Sequence, residues 1–282
     1  MYNVRYHIAS LVAVFLALAL GLVLGGLVVR QGAFDSQQSA IVSSLRKDFD
    51  SLKKQNSGLK KDLSAERAYS KQMTEAWVAG RMEGRTVLVL SSGEKGEGLD
   101  EAVSAVKAAG GTPAVVTVLK PGLGLSDEGV VADAARSIVG TATDLKTAAT
   151  SALMAEWSQP TGVRPLTDAL ERAGAIKTTG LAASVAATQV VDIAAFDGKP
   201  DEIALDIAQA YAMAGLYALG AQTPTSDTGV APAAAARKLS AFETLGTNAG
   251  MFTMVALFTG GQQGYYSLNE GATAAFPPVP VP

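Results

Sequence analysis

The stretch TVLVLSSGEKGEGLDEAVSAVKAAGGTPAVVTVL, residues 86–119, decides the fold. It opens on TVLVL (86–90), a short β-branched and leucine run of the kind found in buried strands. The turn-rich SSGEKGEG follows. Leu99, Ala102, Val103 and Val106 then fall at i, i+3, i+4 and i+7, one face of a helix, and Gly110-Gly111 closes it. PAVVTVL (113–119) is a second short apolar run. Strand, helix and strand in this order form a βαβ unit, which requires a parallel pair with helices on the sheet faces.

Working outward towards the C-terminus, residues 126–175 read as two or three Ala-rich helices, including DLKTAATSALMAEW and PLTDALERAG. QVVDIAAF (189–196) reads as a strand, Pro200 stands at the start of a helix over DEIALDIAQAYAMAG, and LYALGAQ reads as another strand. Residues 222–236, rich in Thr, Pro, Gly and Ala, read as a surface loop. NAGMFTMVALF (248–258) is a last apolar helix, and FPPVPVP at the end is extended. The expectation is an α/β domain over residues 85–270, a small Rossmann-like parallel sheet of three to five strands with helices on both faces. A Pro-rich tail occupies 271–282.

Towards the N-terminus, 22 residues from Ile8 to Val29 carry no charge, enough to cross a hydrocarbon core of about 30 Å. A cleaved signal has an apolar region of about 7–15 residues and an A-x-A-like exit, whereas this one is longer and ends in GGLVVR, so the reading is a retained anchor over 8–29 behind a short tail, 1–7. Small residues recur every four positions, Ala9, Ala13, Ala17, Gly21 and Gly25, and would let a second helix approach closely; the alternative is that Ala and Gly are simply common in such helices. Arg5 lies before the span and Arg30 after it, so charge leaves the topology open. The short tail suits an uncleaved signal anchor with the bulk of the chain exported.

Between anchor and domain, residues 34–80 follow a heptad. With Leu45 at position d, the a positions are Val42, Phe49, Asn56, Leu63, Ser70 and Trp77, and the d positions are Leu45, Leu52, Leu59, Glu66 and Met73. In a parallel pair Asp48 faces Lys53 of the second chain and Asp62 faces Arg67, both of opposite sign. Asn56 at an a position costs stability but selects two chains in register. A parallel coiled-coil stalk, and hence a homodimer, is the expectation. The alternative is one helix packed on its own domain, since Glu66 and Ser70 weaken the second half of the seam.

Composition narrows the chemistry. The net charge of −3 makes no case for nucleic acid. The charge is unevenly spread: residues 1–85 hold 12 basic and 7 acidic side chains, while residues 86–282 hold 11 and 19. With no cysteine, disulfides, thiolate metal sites and cysteine nucleophiles are excluded. The single histidine, His7, precedes the apolar span, which removes a Ser-His-Asp triad or a multi-histidine zinc site from the folded part.

Three features could still carry chemistry. SSGEKGEG occupies the position where glycines and a helix N-terminus hold phosphate, yet it matches neither GxGxxG nor GxxxxGK[ST], and Glu94, Glu97, Asp100 and Glu101 would repel a phosphate. Met251 and Met254 share a helix face and are weak candidates for a soft metal such as Cu(I), against a core role. Asp192 interrupts an apolar strand and Asp197 follows its end, where open α/β sheets place ligand-binding residues; the alternatives are a solvated face or a helix cap. No catalytic constellation is present, and the chain reads as a non-enzyme without a resident cofactor.

The block RYHIASLVAVFLALALGLVLGG, residues 5–26, resembles the N-terminus of the actinobacterial MctB-like copper-transport proteins, and the resemblance extends in outline along the chain to GGQQGYYSLNEGATAAFPPVP. It implies copper efflux and copper homeostasis at the cell envelope, with an outer-envelope location and copper as the transported or sensed species. SteB-like coryneform relatives are associated instead with cell separation. That association suits a second reading, a dimeric membrane-anchored scaffold for cell-wall or division proteins. The resemblance brings no copper-site motif to transfer.

Overall fold

The computed structural model describes residues 4–30, 33–93, 96–126, 128–140 and 143–279. The chain divides into two compact units, residues 1–68 and 69–282.

The first unit is helical. Helix α1 spans Val4–Arg30, and within it Arg5–Leu27 has a mean hydropathy of 2.7 with none of its window buried. At 1.5 Å per residue these 23 residues extend about 34 Å, long and apolar enough to cross a membrane. Helix α2 spans Ala33–Val78 and its residues 38–68 are exposed throughout. Expected features on residues 1–3 and 280–282, and on Glu94, lie outside the described residues.

The second unit holds nine strands, among the described residues, with helices between them. Strand β1 (Thr86–Ser92) leads through α3 (Leu99–Ala108) to β2 (Thr112–Val118), and the two strands pair in parallel from Thr86 opposite Thr112 to Ser92 opposite Val118. The βαβ unit therefore forms as expected. A 3-10 turn, Pro121–Gly124, and three helices follow: α4 (Val130–Val139), α5 (Leu145–Ser158) and α6 (Pro165–Arg172). Next come β3 (Ile176–Thr179), β4 (Gln189–Asp192), and a small hairpin of β5 (Ala195–Phe196) and β6 (Lys199–Pro200). The C-terminal third runs α7 (Glu202–Met213), β7 (Tyr217–Ala221), α8 (Val230–Ala236), β8 (Ser240–Phe242), α9 (Asn248–Phe258) and β9 (Tyr265–Tyr266).

Seven strands make one sheet in the order β3-β2-β1-β4-β7-β8-β9, all parallel except β3. The chain leaves β1 towards β2 on one side and returns to β4 on the other, which places the topological switch point between β1 and β4. This corrects the expected three to five strands: β3, β8 and β9 are only four, three and two residues long, too short to show a period of two. It also corrects the expected loop over 222–236, which contains α8. A Cβ at Gly220 on β7 would lie 2.4 Å from the Cβ of Ala234, so glycine lets α8 pack directly on the strand. QVVDIAAF is two strands, not one: β4 ends at Asp192 and Ala195–Phe196 form β5 of the hairpin.

The period of two sorts the strand residues onto two faces. Leu88, Leu90, Val190 and Val116 join Leu153, Trp157, Leu170 and Tyr211 from α5, α6 and α7 in one core. Val87, Val89, Val191 and Phe242 join Ala102, Val106, Met254 and Phe258 from α3 and α9 in the other, together with Val78 at the end of α2. Helices thus cover both faces. Each fully buried Leu, Val or Phe here contributes about 1.5–3 kcal/mol of transfer free energy.

Helix starts are set by side chains. Asp144 accepts from the Lys146 and Thr147 amides at α5, Asp201 from Ala204 at α7, and Thr247 from Gly250 at α9. At α6 the cap comes from another helix: the buried Glu156 carboxylate accepts from Leu166 N at 2.8 Å, Thr167 N at 3.0 Å and the Thr167 hydroxyl at 2.7 Å.

Candidate functional site

At the switch point, where an α/β sheet would hold a phosphate, the backbone folds onto itself. A Cβ at Gly96 would stand 1.8 Å from Ser91 Oγ, so the loop after β1 rests on the strand end. Ser92 donates its hydroxyl to Ala195 O and accepts from Ala195 N at 3.0 Å, tying the end of β1 to the start of β5. At the N-terminus of α3, Gly98 is left-handed with φ 82° and offers no side-chain cap, and Asp100 and Glu101 fill the first turn. Glu97 accepts from the Thr223 hydroxyl at 2.6 Å. These acidic groups complement the helix dipole themselves and give a phosphate no cation.

The two aspartates have separate surroundings. Asp192 is fully buried; its Oδ1 accepts from Ala194 N at 2.9 Å and its Oδ2 has no partner. Burial raises its carboxyl to about 8. Asp197 lies exposed in the turn of the β5–β6 hairpin with φ 49°, followed by Gly198 with φ 72°, the Asp-Gly chemistry of a two-residue turn. Asp192 faces the core and Asp197 shapes a turn.

The methionines also separate. Met254 is wholly buried in the core of the α3 and α9 face, whereas Met251 is half-buried and lines a groove of about 250 Å³ with Asp100, Glu101 and Asn248. Among the described residues no three His, Cys, Asp or Glu side chains gather as a metal cluster.

The candidate contact residues of the two long helices lie on the surface of the chain. Ala13, Ala17, Gly21 and Gly25 are exposed on α1, and a Cβ at either glycine would meet nothing within 4 Å. On α2, Val42, Leu45, Phe49, Leu52, Leu59 and Leu63 are 50–68% exposed, and Asn56 is exposed between them. The later a positions differ. Ser70 Oγ accepts from Asn248 Nδ2 at 3.4 Å, and Trp77 packs on Phe252, so the end of α2 is occupied by α9.

Sequence reading missed a cleft at the carboxyl ends of β7, β8 and β9, where Gln222 and Asn269 donate to Glu243. The only sequence signal was a polar residue directly after each of three apolar runs.

The fold defines a class of α/β protein with an open, mostly parallel sheet and one N-terminal helix long and apolar enough to cross a membrane. The sequence model described as "Copper transport outer membrane protein, MctB" matches residues 1–277, and the chain belongs to that family. A search of curated proteins gives no match, and neither does a search of solved structures.

Proposed function

We propose that this chain is a single-pass envelope protein of copper efflux and copper homeostasis, anchored by α1 with the bulk of its length outside the cytoplasm. The observation that carries this reading is membership of the copper-transport family along residues 1–277. The family's description supports an outer-envelope location. Copper is cargo or signal, with Met251, half-buried beside the groove next to α3, the candidate contact, while Met254 is core. No enzymatic step belongs to this reading.

The shape of the sheet bears on how such a protein works. A membrane barrel closes its strands so that no edge meets lipid. Here the sheet runs from β3 to β9 with both faces under helices, which favours a tethered domain acting with other envelope components over a barrel built from these strands. Deletion of the gene is expected to raise cell-associated copper, measured by mass spectrometry, and to sensitise growth to copper. Copper content equal to that of the parent strain would overturn the proposal.

A second reading is a parallel homodimeric scaffold for cell-wall or cell-separation proteins. It is favoured by the exposed Val42–Leu63 seam and by the charge match of Asp48 with Lys53 and of Asp62 with Arg67 across a two-stranded coiled coil. Its test is affinity capture of envelope proteins on the full chain, compared with a seam-disrupted variant.

A further inference from the structure

Strands β7, β8 and β9 are neighbours in the sheet, and each is followed by a polar residue: Gln222, Glu243 and Ser267. All three meet at one carboxylate. Glu243 Oε1 accepts from Gln222 Nε2 at 3.3 Å, while Oε2 accepts from Asn269 Nδ2 at 2.7 Å and from the Ser267 hydroxyl. Gln222 and Ser267 are 9% and 4% exposed and form the floor. The Gln222 amide is held in one orientation because its oxygen accepts from Ala231 N at 3.1 Å. The group opens onto a cleft of about 360 Å³ that Asp227, Thr244 and Leu268 also line, and Thr244 Oγ1 is a buried hydroxyl without a partner.

The lining decides the ligand. No Lys, Arg or His is among it, and Gln222, Ser267 and Asn269, which donate to Glu243, are neutral, so a phosphate or carboxylate would face two carboxylates without a compensating cation. A hydroxyl-rich ligand suits it, because each hydroxyl can donate to a carboxylate and accept from an amide. Leu268, 84% exposed, and Pro224 give the rim an apolar surface for the C–H face of a ring. The position, outside the carboxyl ends of parallel strands, is where open α/β sheets bind small ligands, and the volume lies in the usual range.

We propose that this cleft binds a neutral polyhydroxylated ligand, a sugar unit of a glycan, with Glu243 and Asp227 accepting from its hydroxyls and Asn269 donating to it. The site is independent of copper handling, so the two readings can fail separately. The test is saturation-transfer NMR on the full chain in lipid nanodiscs, with glucose, galactose, mannose and arabinose as probes. At least one sugar is expected to receive saturation, with its affinity falling about tenfold in Glu243→Gln and by a smaller factor in Asp227→Asn, an exposed position outside the hydrogen-bonded floor. Absence of transfer to all four sugars overturns the proposal, as does transfer unchanged in both variants. Transfer abolished by added calcium chloride overturns it too, by assigning the carboxylates to a cation.

Discussion

Trp77 and Phe252 meet ring to ring, with centroids 4.5 Å apart and planes inclined at 47°. The Arg81 guanidinium lies 4.0 Å from the Trp77 ring centroid on the same side chain. One turn of α2 is thereby part of the second core, next to Val78, which is fully buried, and the Arg85 guanidinium donates to Phe258 O at 2.8 Å just beyond it. A helix that is exposed from residue 38 to 68 ends as a component of the α/β unit.

Trp77→Ala removes this ring pair and its cation contact. Because the indole is partly exposed, the expected loss is about 2–3 kcal/mol, below the usual cost of emptying a sealed core site. Urea unfolding followed by circular dichroism measures it. An unchanged midpoint would show that the end of α2 adds nothing to the stability of residues 69–282.

Leu45→Asp combined with Leu52→Asp places charge in the exposed seam without touching either core. The double variant is expected to lower the association state of the full chain in detergent, read by analytical ultracentrifugation, while its helical content changes little. Asn56→Leu is expected to keep association but relax the preference for two chains, since in the proposed two-stranded seam the paired amides would be what rejects other registers. A double variant as associated as the natural chain would remove the coiled-coil proposal.

Asp192 predicts a pH dependence. Burial raises its carboxyl from the ordinary 3.8 to about 8, so between those values the native chain holds a proton that the unfolded chain has released. Its contribution to stability is complete below about pH 4, falls as pH rises, and is lost above about pH 8, with a slope of up to about 1.4 kcal/mol per pH unit in between. Asp192→Asn is expected to flatten that part of the profile. Melting temperatures of the two proteins across this window decide the point; parallel curves would show that Asp192 is charged in the core.

Much of this architecture was legible locally. The βαβ unit at residues 86–118 could be read because Val87 to Leu90 and Ala102 to Val106 each repeat within a few residues, and the apolar span of α1 is plain from length alone. β3, β8 and β9 could not be read, because two to four residues carry no period and are ordered by the neighbours that they pair with. The same holds for the polar cleft: Gln222, Glu243, Ser267 and Asn269 are spread over 48 positions and meet only because their strands are adjacent.

The amino-acid sequence by itself determined the long apolar span of α1, the heptad from Val42 to Leu63 and the α/β class, since each rests on short-range periodicity and hydrophobicity. Tertiary structure alone decided which heptad positions stay free. Ser70 and Trp77 follow the same spacing as Val42 and Phe49, but Asn248 and Phe252 of α9 occupy them, and no local pattern announces a partner some 175 residues away. It likewise decided that Asp192 faces the core, because a strand's inward side is known only once the layers on both faces are in place.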